Sequence, residues 1–198
     1  MSVVELRKLV EFIELIQGLK DYRMVEDFGL TSQFKEGSLF YGNEAFNTDF
    51  NFYGGKQQQD KHKCVPAEIK VLKAGDLVIN NALQSASIVS VENSGKVMSA
   101  NFTRVEMKSP KLDKYYFLYL FNTNQFVSKQ KSKNTQGTAI GRISLNAISN
   151  LVIPLPSLEI QQQIGEIYKL SLKLQALNKR KAELTDLLTA AILNDLGE

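Results

Sequence analysis

The sequence predicts an α+β chain in two parts: a mixed globular domain with a twisted β-sheet over residues 1–155, and a long C-terminal coiled-coil helix over residues 156–198. Three observations carry this. Apolar residues recur at alternating intervals of three and four along Ile167, Leu170, Leu174, Leu177, Leu184, Leu188 and Ala191, with Lys181 as a polar intruder; that is the period of a coiled-coil seam. Short apolar runs broken by glycine turns fill residues 69–107, as in a sheet. The aromatic run Tyr115 to Phe121 follows and reads as a helix packed into a core.

In chain order, Ser2 and Glu5 have capping-box spacing, and Leu6, Leu9, Val10 and Ile13 follow at helical intervals, which predicts a helix over Val3 to Gln17. Lys20 to Lys35 has no clear period and reads as loop. Ser38 to Phe46 reads as a short strand and turn, and the polar Asn47 to Lys63 as a long exposed loop. Ile69 to Leu72 and Leu77 to Asn80 read as strands around a Lys73-Ala74-Gly75-Asp76 turn. Ala86 to Val91 and Val97 to Met107 continue the sheet, with Asn93-Ser94-Gly95 as a hairpin turn between them. A helix over Leu112 to Phe121 leads to a polar loop over Asn122 to Gly137. A strand-like Ile140 to Leu145 and a lead-in over Ala147 to Ile153 complete the body.

Pro154 and Pro156 hold the chain extended before Ser157, because a residue preceding proline is pushed out of the helical region. Ser157 suits the N-cap, and Glu159 meets the positive end of the helix dipole. A helix from Leu158 to Leu193 would be roughly 54 Å long. A stripe that long needs a partner helix or a bed on its own domain, and the body requires most of its residues for its own core.

The composition is 43% hydrophobic and 23% charged, which excludes a disordered chain. The longest apolar run is too short to cross a membrane, no leader pattern stands at the start, and the single cysteine, Cys64, forms no internal disulfide, so a cytoplasmic setting is expected. The formal charge of +3 is uneven: residues 126–146 carry Lys129, Lys131, Lys133 and Arg142 with no acid. A local basic patch of this kind fits phosphate. The Gly54–Lys63 loop, with Lys56, Gln57, Gln58 and Lys61, is readable equally as a base-contacting loop or a solvated one.

Catalytic chemistry is poorly supplied. His62 and Cys64 are each the sole residue of their type, which excludes a His/Cys zinc site and leaves a histidine-dependent triad without a nucleophile motif. No phosphate-binding glycine loop occurs. Asp60 with Glu68 and Lys70, or Glu106 with Lys108, offers a carboxylate and Glu-x-Lys pattern that a metal nuclease could use.

Three stretches, in this order, resemble the specificity subunit of type I restriction–modification enzymes. Lys73-Ala74-Gly75-Asp76-Leu77-Val78 is similar to a turn-and-strand element of that family. Tyr115 to Leu120, the polar loop, Gly137-Thr138-Ala139 and Ile143-Ser144 resemble its helix, loop and return. Ile153-Pro154-Leu155-Pro156-Ser157-Leu158-Glu159, with Gln161 and Ile164, is similar to the start of its conserved spacer helix, with Ile160 where an acid is usual. The resemblance implies a target-recognition domain and a spacer helix, one half of a typical member, and a homodimer reading two half-sites of double-stranded DNA. It also implies that the chain is not itself an enzyme and binds no cofactor. Modification subunits using S-adenosylmethionine and a restriction motor subunit using ATP and magnesium would be its partners.

On that reading Lys129, Lys131 and Lys133 contact phosphates, and Gln130, Asn134, Thr135 and Gln136 offer base-reading groups, since amide side chains match adenine edges. Lys56, Gln57, Gln58, Lys61 and Arg142 complete the expected contact set. Ile167, Leu170, Leu174, Leu177, Lys181, Leu184, Leu188 and Ala191 form the dimer seam, with Lys181 setting register or snorkelling to solvent. Two rival expectations stand beside it: a coiled-coil adaptor that never touches DNA, and a magnesium-dependent nuclease.

Overall fold

A computed structural model describes residues 5–18, 40–51, 71–135 and 141–197. Its fold is mixed α+β. A four-stranded antiparallel sheet has the order β2 (Ile13–Gln17), β7 (Phe102–Met107), β4 (Leu77–Asn80), β5 (Ser85–Ile88). β1 (Glu5–Lys8) pairs antiparallel with β8 (Val152–Leu155), and β3 (Phe40–Tyr41) pairs parallel with β6 (Val97–Met98). The helices are α1 (Asn43–Asn51), α2 (Lys114–Asn122), α3 (Gln125–Thr135), α4 (Leu145–Ser149) and α5 (Leu158–Gly197).

Leu77, Val78 and Ile79 show why β4 is central. All are buried, and alternation sends Leu77 and Ile79 to one core and Val78 to another. A continuous apolar run is what a strand covered on both faces requires. Above one face lies α2, with Tyr116, Phe117, Leu120 and Phe121. Below the other lie Tyr41, Ala45 and Phe46, with Phe102 edge-on to Tyr41 at 5.4 Å. The aromatic run is therefore core, as its composition implies. Asp113 caps α2, its carboxylate accepting from the Tyr116 N–H at 2.8 Å.

The turn before β4 is as expected. Gly75 takes a φ of +89°, a value that favours glycine, and the Asp76 carboxylate accepts from the Lys73 N–H at 2.9 Å.

Several expectations are corrected. Val3 to Gln17 is not a helix: its described part divides into β1, a turn of 3-10 helix over Leu9–Glu11, and β2. Leu9 and Ile13 fit both periods, and pairing of β1 with β8 and β2 with β7 selects the extended form. The described part of Ser38 to Phe46 holds β3 and then the start of α1, so residues 43–51, expected partly as loop, are helical. The turn at 93–95 exists, but β5 and β6 do not pair as a hairpin; they join different sheets. Val97 to Met107 is broken at Ala100-Asn101. Of Ile69 to Leu72, the described part makes one isolated bridge, Val71 to Val97. The polar loop over 122–137 is mostly α3, and Ile140 to Leu145 ends in α4 rather than a strand. The reading of Lys20 to Lys35 lies outside the described residues.

α5 starts where the prolines and Ser157 place it; the Ser157 carbonyl accepts the first turn's bond from Gln161 N–H at 3.0 Å. From Gln161 to Leu172 it lies along α2. Gly165 makes that close approach possible: a Cβ there would sit 2.7 Å from Asp113 Oδ1 and 2.9 Å from Tyr116 N.

Candidate nucleic-acid interface

α3 carries half of the predicted contact residues and divides its described side chains between two faces. Gln130 faces inward. Its amide accepts from Val152 N–H at 2.8 Å and donates to the Val152 carbonyl at 2.8 Å, so it supplies the missing neighbour on the free edge of β8. Lys131 also points inward. It is 7% exposed, and its ammonium donates to the Phe121 carbonyl at 2.5 Å and the Gln84 carbonyl at 2.8 Å, with the Phe121 ring centroid at 4.4 Å. Burial pushes its pKa down to about 8. The expectation of a phosphate contact at Lys131 and a base contact at Gln130 is corrected: both side chains are committed to the body.

Lys129, Lys133 and Asn134 are exposed. Lys129 and Lys133 are one turn apart and share a face; the Asn134 amide folds back onto the Gln130 carbonyl at 2.9 Å. Thr135 is the last residue of α3. Arg142 is half-buried and its guanidinium donates to the Ala100 carbonyl. Lys56, Gln57, Gln58, Lys61 and Gln136 lie outside the described residues.

The turn between β4 and β5 was not anticipated as a site feature. Asn80, fully buried, accepts from the Ala82 and Leu83 N–H groups at 3.1 and 3.0 Å and donates to Asn43 at 3.1 Å. Gln84 has a φ of +52°, and its amide donates to the Gly141 carbonyl at 2.8 Å. The Asn80-Asn81 pair at the end of an apolar strand is the sequence signal that could have found this turn.

On α5, Ile167, Leu170, Leu174, Leu177, Lys181, Leu184, Leu188 and Ala191 are all exposed, Leu188 by 62%. Ile164, Tyr168 and Leu172 pack on the core instead. Tyr168 and Leu170 are two residues apart, about 200° around a helix, so seam and docking face lie on opposite sides. Leu187, Ile192 and Leu193 are exposed as well, which widens the apolar face toward the end of the helix.

Only part of the nuclease pattern falls on described residues. Asp60, Glu68 and Lys70 lie outside the described residues, Glu106 accepts from Arg104 at 2.5 Å and Lys108 pairs with Glu14 at 3.2 Å. Among the described residues no group of three or more His, Cys, Asp or Glu gathers as a metal would need, and no helix is long and apolar enough to cross a membrane.

Residues 23–186 match the family described as Type I restriction modification DNA specificity domain. The chain belongs to this family. A solved structure described as "structural basis underlying complex assembly and conformational transition of the type I R-M system" matches this chain with a TM-score of 0.61 at 18% identity, over 97% of this chain and 44% of that one. The HsdS subunit from Thermoanaerobacter tengcongensis matches with a TM-score of 0.55 at 20% identity, over 96% of this chain and 44% of that one. These likenesses establish the fold, and this chain spans less than half the length of either solved chain. A comparison with curated proteins finds no match.

Proposed function

We propose that this chain is a non-catalytic DNA-reading subunit that pairs with a second copy through α5 to recognise a bipartite site. The family match across residues 23–186 carries the DNA-reading part. The exposed seam carries the pairing: seven apolar residues at heptad spacing, opposite the face that docks on the body, suit an isologous helix pair. In this reading residues 1–155 are a recognition unit and residues 156–198 a spacer whose first turns dock on that unit through Ile164, Tyr168 and Leu172.

Lys129 and Lys133 contact phosphates in this reading, and Asn134, Arg142 and the polar stretches around Lys56 and Gln136 supply further contacts. The widened apolar face at Leu187, Ile192 and Leu193 exceeds what a two-stranded seam uses, which suits additional helices from modification subunits. S-adenosylmethionine, ATP and magnesium would act on those partners and on a restriction motor subunit, in the cytoplasm.

The decisive experiment is the DNA-methylation pattern of cells carrying this chain with modification and motor subunits. A new split palindromic motif is expected. A split asymmetric motif would keep the DNA reading and replace the second copy by a different half. No new motif with an active modification subunit would refute the function.

A further inference from the structure

We propose that Lys131 and Gln84 are positioning residues for sequence discrimination, locking α3 to the β4–β5 turn and to the chain at Gly141 so that the outward side chains of α3 meet DNA in one pose. This rests on the DNA-reading function proposed above.

Two costly choices meet at one point. Lys131 buries an ammonium, which has to be satisfied by dipoles once it leaves water; a well-packed apolar side chain often serves stability as well or better. Gln84 takes a left-handed φ of +52°, which for a residue with a Cβ is held only where surrounding bonds over-determine it. Methionine at 131 and glycine at 84 would remove both costs.

What the present pair supplies is direction. The ammonium joins α3 to the end of α2 through the Phe121 carbonyl and to the turn through the Gln84 carbonyl, at 2.5 and 2.8 Å. The Gln84 amide then reaches the Gly141 carbonyl at 2.8 Å. The turn is itself rigid: Asn80 holds the Ala82 and Leu83 N–H groups, and the Asn81 carbonyl accepts from Ile143 N–H at 3.0 Å. Directional bonds of this kind set the rotation of α3, which apolar contact alone leaves loose. Lys129 and Lys133 each lie two residues from Lys131, about 200° around the helix. An inward Lys131 therefore aims both of them outward.

The test uses the full chain assembled with its modification subunits. Selection from a pool of randomised duplex DNA defines the preferred duplex, and affinity is then compared between it and single-base variants at one salt concentration. Lys131→Met should fold with an equal or higher Tm, keep its affinity for unrelated duplex and its salt slope, and lose discrimination by about tenfold or more, on the scale of one misread base pair. Gln84→Gly keeps the carbonyl that receives Lys131 and relieves the backbone, and should show the same loss without loss of stability. Unchanged discrimination in a folded Lys131→Met protein overturns the positioning role; if that variant does not fold, unchanged discrimination in Gln84→Gly overturns it. A wild-type protein that selects no preferred duplex overturns the DNA-reading function itself, and the positioning role with it.

Discussion

One helix behaves as two. Between Gln161 and Leu172, α5 is part of the body: Gln161 is 1% exposed, donates to the Lys111 and Pro156 carbonyls at 3.0 and 2.9 Å, and accepts from Asp113 N–H at 3.0 Å. Beyond Leu172 the same helix turns its leucines to solvent. The hydrophobic spacing alone does not separate the two regions. What separates them is which side of the helix meets α2, and the glycine at 165 and the buried amide at 161 set that side. α3 repeats the division on a smaller scale, with Gln130 and Lys131 inward and Lys129 and Lys133 outward.

The sharpest way to break this comparison is to charge the outward stretch. Leu174→Asp with Leu184→Asp should weaken self-association by at least about a hundredfold, because two carboxylates would be placed in the seam of each helix. The Tm of the body should stay within a few degrees. Sedimentation equilibrium and thermal unfolding on the same samples read both, and a coincident fall in Tm would show that the stretch belongs to the body after all.

The reciprocal change is Gln161→Leu. It leaves two carbonyls and one N–H without their partner in a buried place, and should cost about 3 kcal/mol in urea unfolding. A loss below about 1 kcal/mol would mean that the docking of α5 does not depend on this amide.

On α3 the contrast is finer. Gln130→Ala should cost about 1–2 kcal/mol by uncovering the edge of β8, with the salt dependence of DNA binding intact. Lys129→Ala and Lys133→Ala should leave stability within about 0.5 kcal/mol and each reduce the salt slope by about 1. A salt slope that follows Gln130 instead would reverse the assignment of faces.

The smallest effect is a pH dependence. Burial lowers the folded pKa of Lys131 to about 8 from an ordinary 10.5. Below about 8 both folded and unfolded chains hold the proton, and the cost of burying the charge is felt in full. Between those two values the unfolded chain holds more protons, so stability rises with pH across that window. Urea unfolding at the two ends of it should show a rise in the wild type that Lys131→Met lacks; parallel curves would place the ammonium's titration elsewhere.

Some of this was legible in the residues. The Pro154-Leu-Pro156-Ser157 lead-in, the Lys73–Asp76 turn, β4 and the buried aromatic helix are each dictated by local chemistry: fixed φ at proline, φ freedom at glycine, and a run too apolar to leave exposed. The polar runs were not. Residues 125–135 have no apolar stripe, since the inward positions include Gln130 and Lys131, and their bonding partners lie far away in sequence at Val152 and Gln84. Polar composition therefore predicts loop and DNA contact, whereas Gln130 and Lys131 are internal support. The first strand pair failed for a related reason: Leu9 and Ile13 fit a helical period, and only the edges of β8 and β7 choose between helix and strand.

The sequence by itself determined the heptad seam, the apolar strand, the turns and the polar segments, because each follows from the conformational preference or solubility of adjacent residues. The tertiary structure decided which side of α5 docks on α2, which side of α3 faces outward, and where Lys131 places its charge. Those outcomes depend on hydrogen bonds and close packing between residues distant along the chain, and no local period encodes them.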